Sequence, residues 1–268
     1  MATLNFHVRH EVTPERVWGV LDAIATAVDY LHITQSDRQI SRLRQLGLVS
    51  GKGTPQLTED GRQLHRIGQR RLDLVWELLH FLHYSRWRPN DPTANTMFFT
   101  YLDYCNLLYE SKTTDLNAER DQFAAEMTQR ISNVSYFTDM LSELAKGAVS
   151  LSKSSLIGVE HWLAKLSPQV VANDQFEIRQ YCPPELLLMA LGYVTEMTNA
   201  QVGIEQPLTD ERREILCRVC LIDDGVLNQM LEWLYPEYPD LVLPGTSTGR
   251  YGQFVRLLKL PSLKDIVQ

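Results

Sequence analysis

The chain has 268 residues, 44% of them hydrophobic, enough to bury a sizeable core in one or two domains, and its charged fraction of 22% is ordinary for a folded soluble protein. A net charge of −7 argues against a protein that coats nucleic acid indiscriminately. No apolar leader opens the sequence and its longest apolar helix, Leu72 to Leu82, is too short for a bilayer; the expectation is a cytoplasmic protein with no membrane partner, its Cys105, Cys182, Cys217 and Cys220 free thiols in a reducing compartment.

The charge is unevenly spread. Residues 1–88 hold 12 Lys and Arg against 9 Asp and Glu, whereas the remainder holds 14 against 24. A polyanion contact is therefore expected in the first third, and protein partners on the acidic remainder.

Thr13-Pro14-Glu15 opens a helix carrying Val17, Val20, Leu21, Ile24 and Val28, expected to run to about Asp29. Ser36-Asp37 caps a second helix with Ile40, Leu43 and Leu46 on one stripe, ending at Gly47. Leu48-Val49 and Gln56-Leu57 flank a glycine-rich turn and read as a short hairpin, and Thr58-Glu59-Asp60-Gly61 caps the next helix. This order is that of a winged helix-turn-helix. Residues 1–89 form that domain, Asn90-Asp91-Pro92 breaks the chain, and 90–147 read as a helical segment. The order then returns in a unit over 148–205, with a wing around Ala172–Gln175, and in another over 206–268, with a hairpin around Gly245–Gly249. The expected fold class is mostly α, with small β-wings.

At about 100° per residue, Arg38, Ser41 and Gln45 point away from the Ile40/Leu43/Leu46 stripe, with Arg42 and Arg44 on its flanks. These are side chains suited to a recognition helix, since Arg reads guanine edges, Gln reads adenine and Arg or Ser grips phosphate. Lys52, at the tip of the turn, is placed to reach an adjacent phosphate. Other chemistry is weaker. Glu77, His80 and His83 share a helix, but no second Glu-x-x-His helix exists to complete a di-metal site, so packed, hydrogen-bonded histidines are expected. Cys217-Arg218-Val219-Cys220 lacks a second ligand pair and reads as buried thiols. Gly245–Gly252 lacks the Lys-Ser/Thr of a phosphate loop. Neither catalytic residue, metal nor cofactor is expected.

The run Leu43-Arg44-Gln45-Leu46-Gly47-Leu48-Val49, followed by Gln56-Leu57-Thr58-Glu59-Asp60-Gly61, resembles the winged-helix superfamily over residues 12–70. More faintly, "LTEDGRQL", "LVWELLHFLHYSRW" and "MFFTYLDY" in succession are similar to a bacterial defence-island family of unknown function, encoded beside DNA phosphorothioation-dependent restriction genes. The resemblances imply a non-catalytic double-stranded DNA-binding subunit of a prokaryotic DNA-processing, regulatory or anti-phage assembly, contacting DNA through Arg38, Ser41, Arg42, Arg44, Gln45 and Lys52. The alternatives are a protein-docking scaffold that never touches DNA, a ligand-responsive transcriptional regulator, and a metal or nucleotide enzyme built on the Glu77 helix.

Overall fold

The computed structural model describes residues 6–51, 53–88, 96–133, 151–246 and 253–266. The first helix, α1 (Pro14–Ala25), stops short of Asp29 because Ala27 turns into the left-handed region at φ 54°. The second, α2 (Ser36–Gln45), is capped by Gln35 in the same conformation, not by Ser36, which is its first helical residue. Its end follows the sequence closely. Gly47 sits at φ 72°, and the N–H groups of Leu48 and Gly47 return to the carbonyls of Leu43 (2.9 Å) and Arg44 (3.0 Å), closing a Schellman motif.

Strands β1 (Val49–Ser50) and β2 (Gln56–Leu57) pair antiparallel, with Val49 opposite Leu57. Thr58 then locks the next helix, α3 (Glu59–Gly68), to the hairpin. Its hydroxyl accepts the Gly61 N–H at 3.1 Å and donates to the Gly47 carbonyl at 2.7 Å. Gly61 has to be glycine here, because a Cβ would overlap the Leu48 carbonyl.

The central element is α4 (Leu72–Ser85), buried on nearly every face. It packs on α3 and also on α5 (Thr96–Ser111), α7 (Lys153–Leu163) and α8 (Pro184–Met197). That position explains its sequence: Leu74, Val75, Leu78, Leu79, Phe81 and Leu82 are all core residues, and the polar Glu77, His80 and His83 between them are buried too.

Beyond α4 the described elements follow one order twice. The first pass is α5, β3 (Thr113–Asp115), α6 (Leu116–Asn133), α7, β4 (Val171–Ala172) and β5 (Gln175–Glu177), with sheet order β3-β5-β4. The second is α8, β6 (Gln206–Pro207), α9 (Asp210–Cys220), α10 (Asp224–Glu237), β7 (Val242–Thr246) and β8 (Gln253–Leu257), with order β6-β8-β7. Each pass reads helix, strand, helix, helix, strand, strand, and in each sheet the last strand lies in the middle. The hairpins fall where the sequence indicated, and Asn173 and Asp174, at φ 52° and 58°, form the two-residue turn of the first. The repeat starts at α5 and α8, however, rather than at residues 148 and 206. Two- and three-residue leading strands leave no alternation to read, so the sequence carries no signal for β3 and β6.

These passes are not separate bodies. Strand β3 pairs with β5 across the expected boundary at 147, Arg179 bridges to Ile222 across that at 205, and the short α11 (Leu263–Ile266) returns to pack on α3. A single apolar core runs from Phe6 to Ile266. Among the described residues no helix is long and apolar enough to cross a membrane.

Candidate nucleic-acid interface

Helix α2 buries Ile40 and Leu43, with Leu46 just beyond its end, in the core shared with Val17, Val20 and Leu21 of α1. What lies beside it is less expected. Residues 6–12 thread between α2, α5 and α7, anchored by buried Phe6, Val8 and Val12. The Thr100 hydroxyl donates to the Phe6 carbonyl at 2.7 Å, and His7 Nδ1 meets Ser155 Oγ at 2.7 Å. Glu11 then holds this segment against α2. Its carboxylate accepts Arg38 Nη1 at 2.9 Å and its carbonyl accepts Gln39 Nε2 at 3.1 Å.

The six sequence-selected residues consequently divide. Ser41 and Arg44 are exposed, and Arg38 and Gln45 are half-buried beside them, so these four share the open face of α2. Arg44 Nη2 also reaches the Gly53 carbonyl at 3.4 Å, tying the hairpin turn alongside the helix. Lys52 lies outside the described residues.

Arg42 departs from expectation. It is only 3% exposed, so it cannot lie against a duplex as a surface phosphate contact. The helical projection put it on a flank, but residues 6–12 and α5 close that flank from a distance in sequence that periodicity cannot report. Its Nη1 donates to His83 Nε2 at 2.9 Å, while His83 Nδ1 bonds the Leu79 carbonyl at 2.7 Å. This arrangement fixes a neutral His83 with the proton on Nδ1, and burial and the nearby Arg42 charge push its pKa well below the usual histidine value. Burial, followed by the charge of Arg9, lowers the Arg42 pKa to about 9, which leaves it cationic at neutral pH.

A cavity of about 400 Å³ opens at this place, lined by His7, Arg9, Val12, Asp37, Arg38, Ser41, Arg42, Gln45 and Met97. Sequence reasoning did not select Arg9 or His7, and it read His83 as a packed histidine without placing it beside Arg42. The surplus of basic residues in the first third was the one available signal, and it carries no position.

The other candidate centres are structural. Glu77 and Arg179 form a buried bidentate pair with both N–O distances 2.8 Å, and Glu77 also accepts the Ser167 N–H at 2.8 Å. His80 donates from Nε2 to the Val219 carbonyl at 2.8 Å and accepts the Tyr101 hydroxyl at Nδ1, 2.9 Å. Every nitrogen of His80 and His83 is thus engaged, and these are packed, hydrogen-bonded side chains. Among the described residues no cluster of three or more His, Cys, Asp or Glu is arranged to hold a metal. All four cysteines are buried, and burial raises the thiol of Cys217 to about 12 and that of Cys220 well above its usual value. Most of the Gly245–Gly252 turn lies outside the described residues.

No family model, no curated protein and no solved structure matches the chain.

Proposed function

We propose that the chain is a non-catalytic subunit that binds double-stranded DNA through the open face of α2 and the neighbouring β1–β2 hairpin, used as a winged helix-turn-helix uses its recognition helix and wing. The observation that carries this reading is the clustering of exposed Ser41 and Arg44 with half-buried Arg38 and Gln45 on one face of α2, with Arg44 joining that face to the hairpin turn. Arg44 makes no ion pair among the described residues, which leaves its charge available to a phosphate. Arg38, partnered by Glu11, serves as the positioning residue of that face. The setting in keeping with the sequence resemblances is a prokaryotic DNA-processing, regulatory or defence assembly, with the acidic remainder facing other proteins.

The test is duplex binding measured across salt concentrations. Affinity should fall steeply as salt rises, and Arg44→Ala should reduce the slope of log K against log salt by about 1, the contribution of one neutralised phosphate. Absence of binding to any duplex at low salt would remove the reading. A docking scaffold would then take its place, favoured by Leu31, 73% exposed at the turn between α1 and α2, and by Trp233, 44% exposed on α10.

A further inference from the structure

A buried guanidinium ordinarily has a carboxylate, and the chain shows what that looks like at Arg179, whose two terminal nitrogens meet Glu77. Arg42 has no such partner. It is 3% exposed, no carboxylate of the described residues lies within ion-pair distance, and its one hydrogen bond goes from Nη1 to a neutral histidine. Its Nε is buried without an acceptor, and its Nη2 bonds no described residue. Because His83 takes Nη1, the edge left over is the one bearing Nε and Nη2, the side-on fork that matches two oxygens of a single oxyanion.

The cavity along α2 contains this arginine together with Arg9, which is exposed and whose side chain makes no hydrogen bond or ion pair with any described residue. Ser41 adds a free hydroxyl at the same wall, and Asp37 is the one carboxylate in the lining. A second cavity of about 400 Å³ makes the contrast plain. It too has arginines, Arg66, Arg70 and Arg71, but Glu185 and Glu237 line it with them and Arg71 is paired to Glu185. One cavity balances its own charge; the other has in its wall a buried cation that no carboxylate of the described residues pairs.

We infer that the cavity between residues 7–12, α2 and the start of α5 binds a phosphate monoester, its dianion gripped by the free edge of Arg42, by Arg9 at the mouth and by the Ser41 hydroxyl. The volume exceeds what a phosphate alone fills, so an attached sugar or nucleoside has room. The ligand is either the phosphate at a DNA end or that of a free small molecule, and the site exists whether or not the duplex reading of α2 holds.

Inorganic phosphate is the first probe, titrated by calorimetry and by thermal shift against chloride at matched ionic strength. Phosphate should bind and raise the melting temperature where chloride does not, and Arg9→Ala should weaken it about tenfold, as loss of one charge-assisted contact does. Arg9 is exposed, so this variant folds even if Arg42→Lys does not; Asp37→Asn should tighten binding. A duplex with 5′-phosphates is then compared with its 5′-hydroxyl twin. Preference for the phosphorylated end, abolished by Arg9→Ala, identifies a DNA terminus; equal affinity, or no duplex binding, alongside retained phosphate binding identifies a free phosphorylated ligand. Phosphate no better than chloride, or unaffected by Arg9→Ala, overturns the site.

Discussion

Arg42 and Arg179 are both buried arginines, yet removing them should have opposite consequences. Arg179→Met leaves the Glu77 carboxyl in the core without its partner, a loss of about 3–5 kcal/mol. Arg42→Met replaces a charge that nothing offsets by an apolar chain of similar length, and should raise stability by about 1 kcal/mol or more in the absence of ligand. Urea unfolding of both variants in phosphate-free buffer checks the pair, and a destabilised Arg42→Met would mean that its bond to His83 outweighs its burial. His80 adds a pH dependence. Burial lowers its pKa from 6.5 to about 4, so the unfolded chain takes up a proton near pH 6.5 that the native state refuses until about pH 4. Stability therefore falls as pH drops through that window, by about 3 kcal/mol from this residue. Asp103 works the other way: burial raises it from 3.8 to about 6, so its native state holds a proton that the unfolded chain has lost, and stability is lost as pH rises between those values. Asp103→Asn removes the opposing contribution, and its urea midpoint should fall more steeply than the parent's between pH 6.5 and 4.

At the scale of elements, the joint from α2 through the hairpin to α3 rests on a few side chains that are close in sequence. Thr58 satisfies the Gly61 N–H and the Gly47 carbonyl together, so Thr58→Ala should cost about 1–2 kcal/mol, read from the urea midpoint. Gly61→Ala should cost more than the cap, because the methyl group meets the Leu48 carbonyl, a backbone atom that cannot swing aside as a side chain would. The joint was legible in the sequence for the same reason that it is fragile: the glycine stop, the threonine cap and the apolar pairs act over eleven residues or fewer. The flank of α2 was not legible. Whether Arg42 faces water depends on residues 6–12 and Met97, which arrive from outside the helix, and a helical projection sees only the helix itself. Likewise the order of elements beyond α4 could be heard from caps and hairpins, but β3 and β6 gain their strand character only from pairing with β5 and β8, partners about fifty or more residues away.

The whole molecule turns on α4. A winged helix that stood alone would end in a helix with one apolar face and one wet face, whereas α4 has residues such as Leu78 and Leu82 and the Glu77 carboxylate in the core as well as those facing α3. Its outer side is covered by α5, α7 and α8, and the Glu77–Arg179 pair fastens it to the segment that leads into the second repeat. The first third, which carries the proposed DNA face, is thus the first layer of a continuous core and not a detachable reader. A fragment comprising residues 1–89 would expose Leu78, Leu79 and Phe81 and leave Glu77 and His80 without Arg179, Tyr101 and Val219. It should fail to give a cooperative thermal transition by circular dichroism and should elute as an aggregate, while the full chain unfolds with coincident fluorescence and circular-dichroism transitions. A monomeric fragment that melts cooperatively would show instead that α4 can solvate its second face. The proposed DNA binding could then be tested on the first third alone, without the acidic remainder that otherwise has to accompany it.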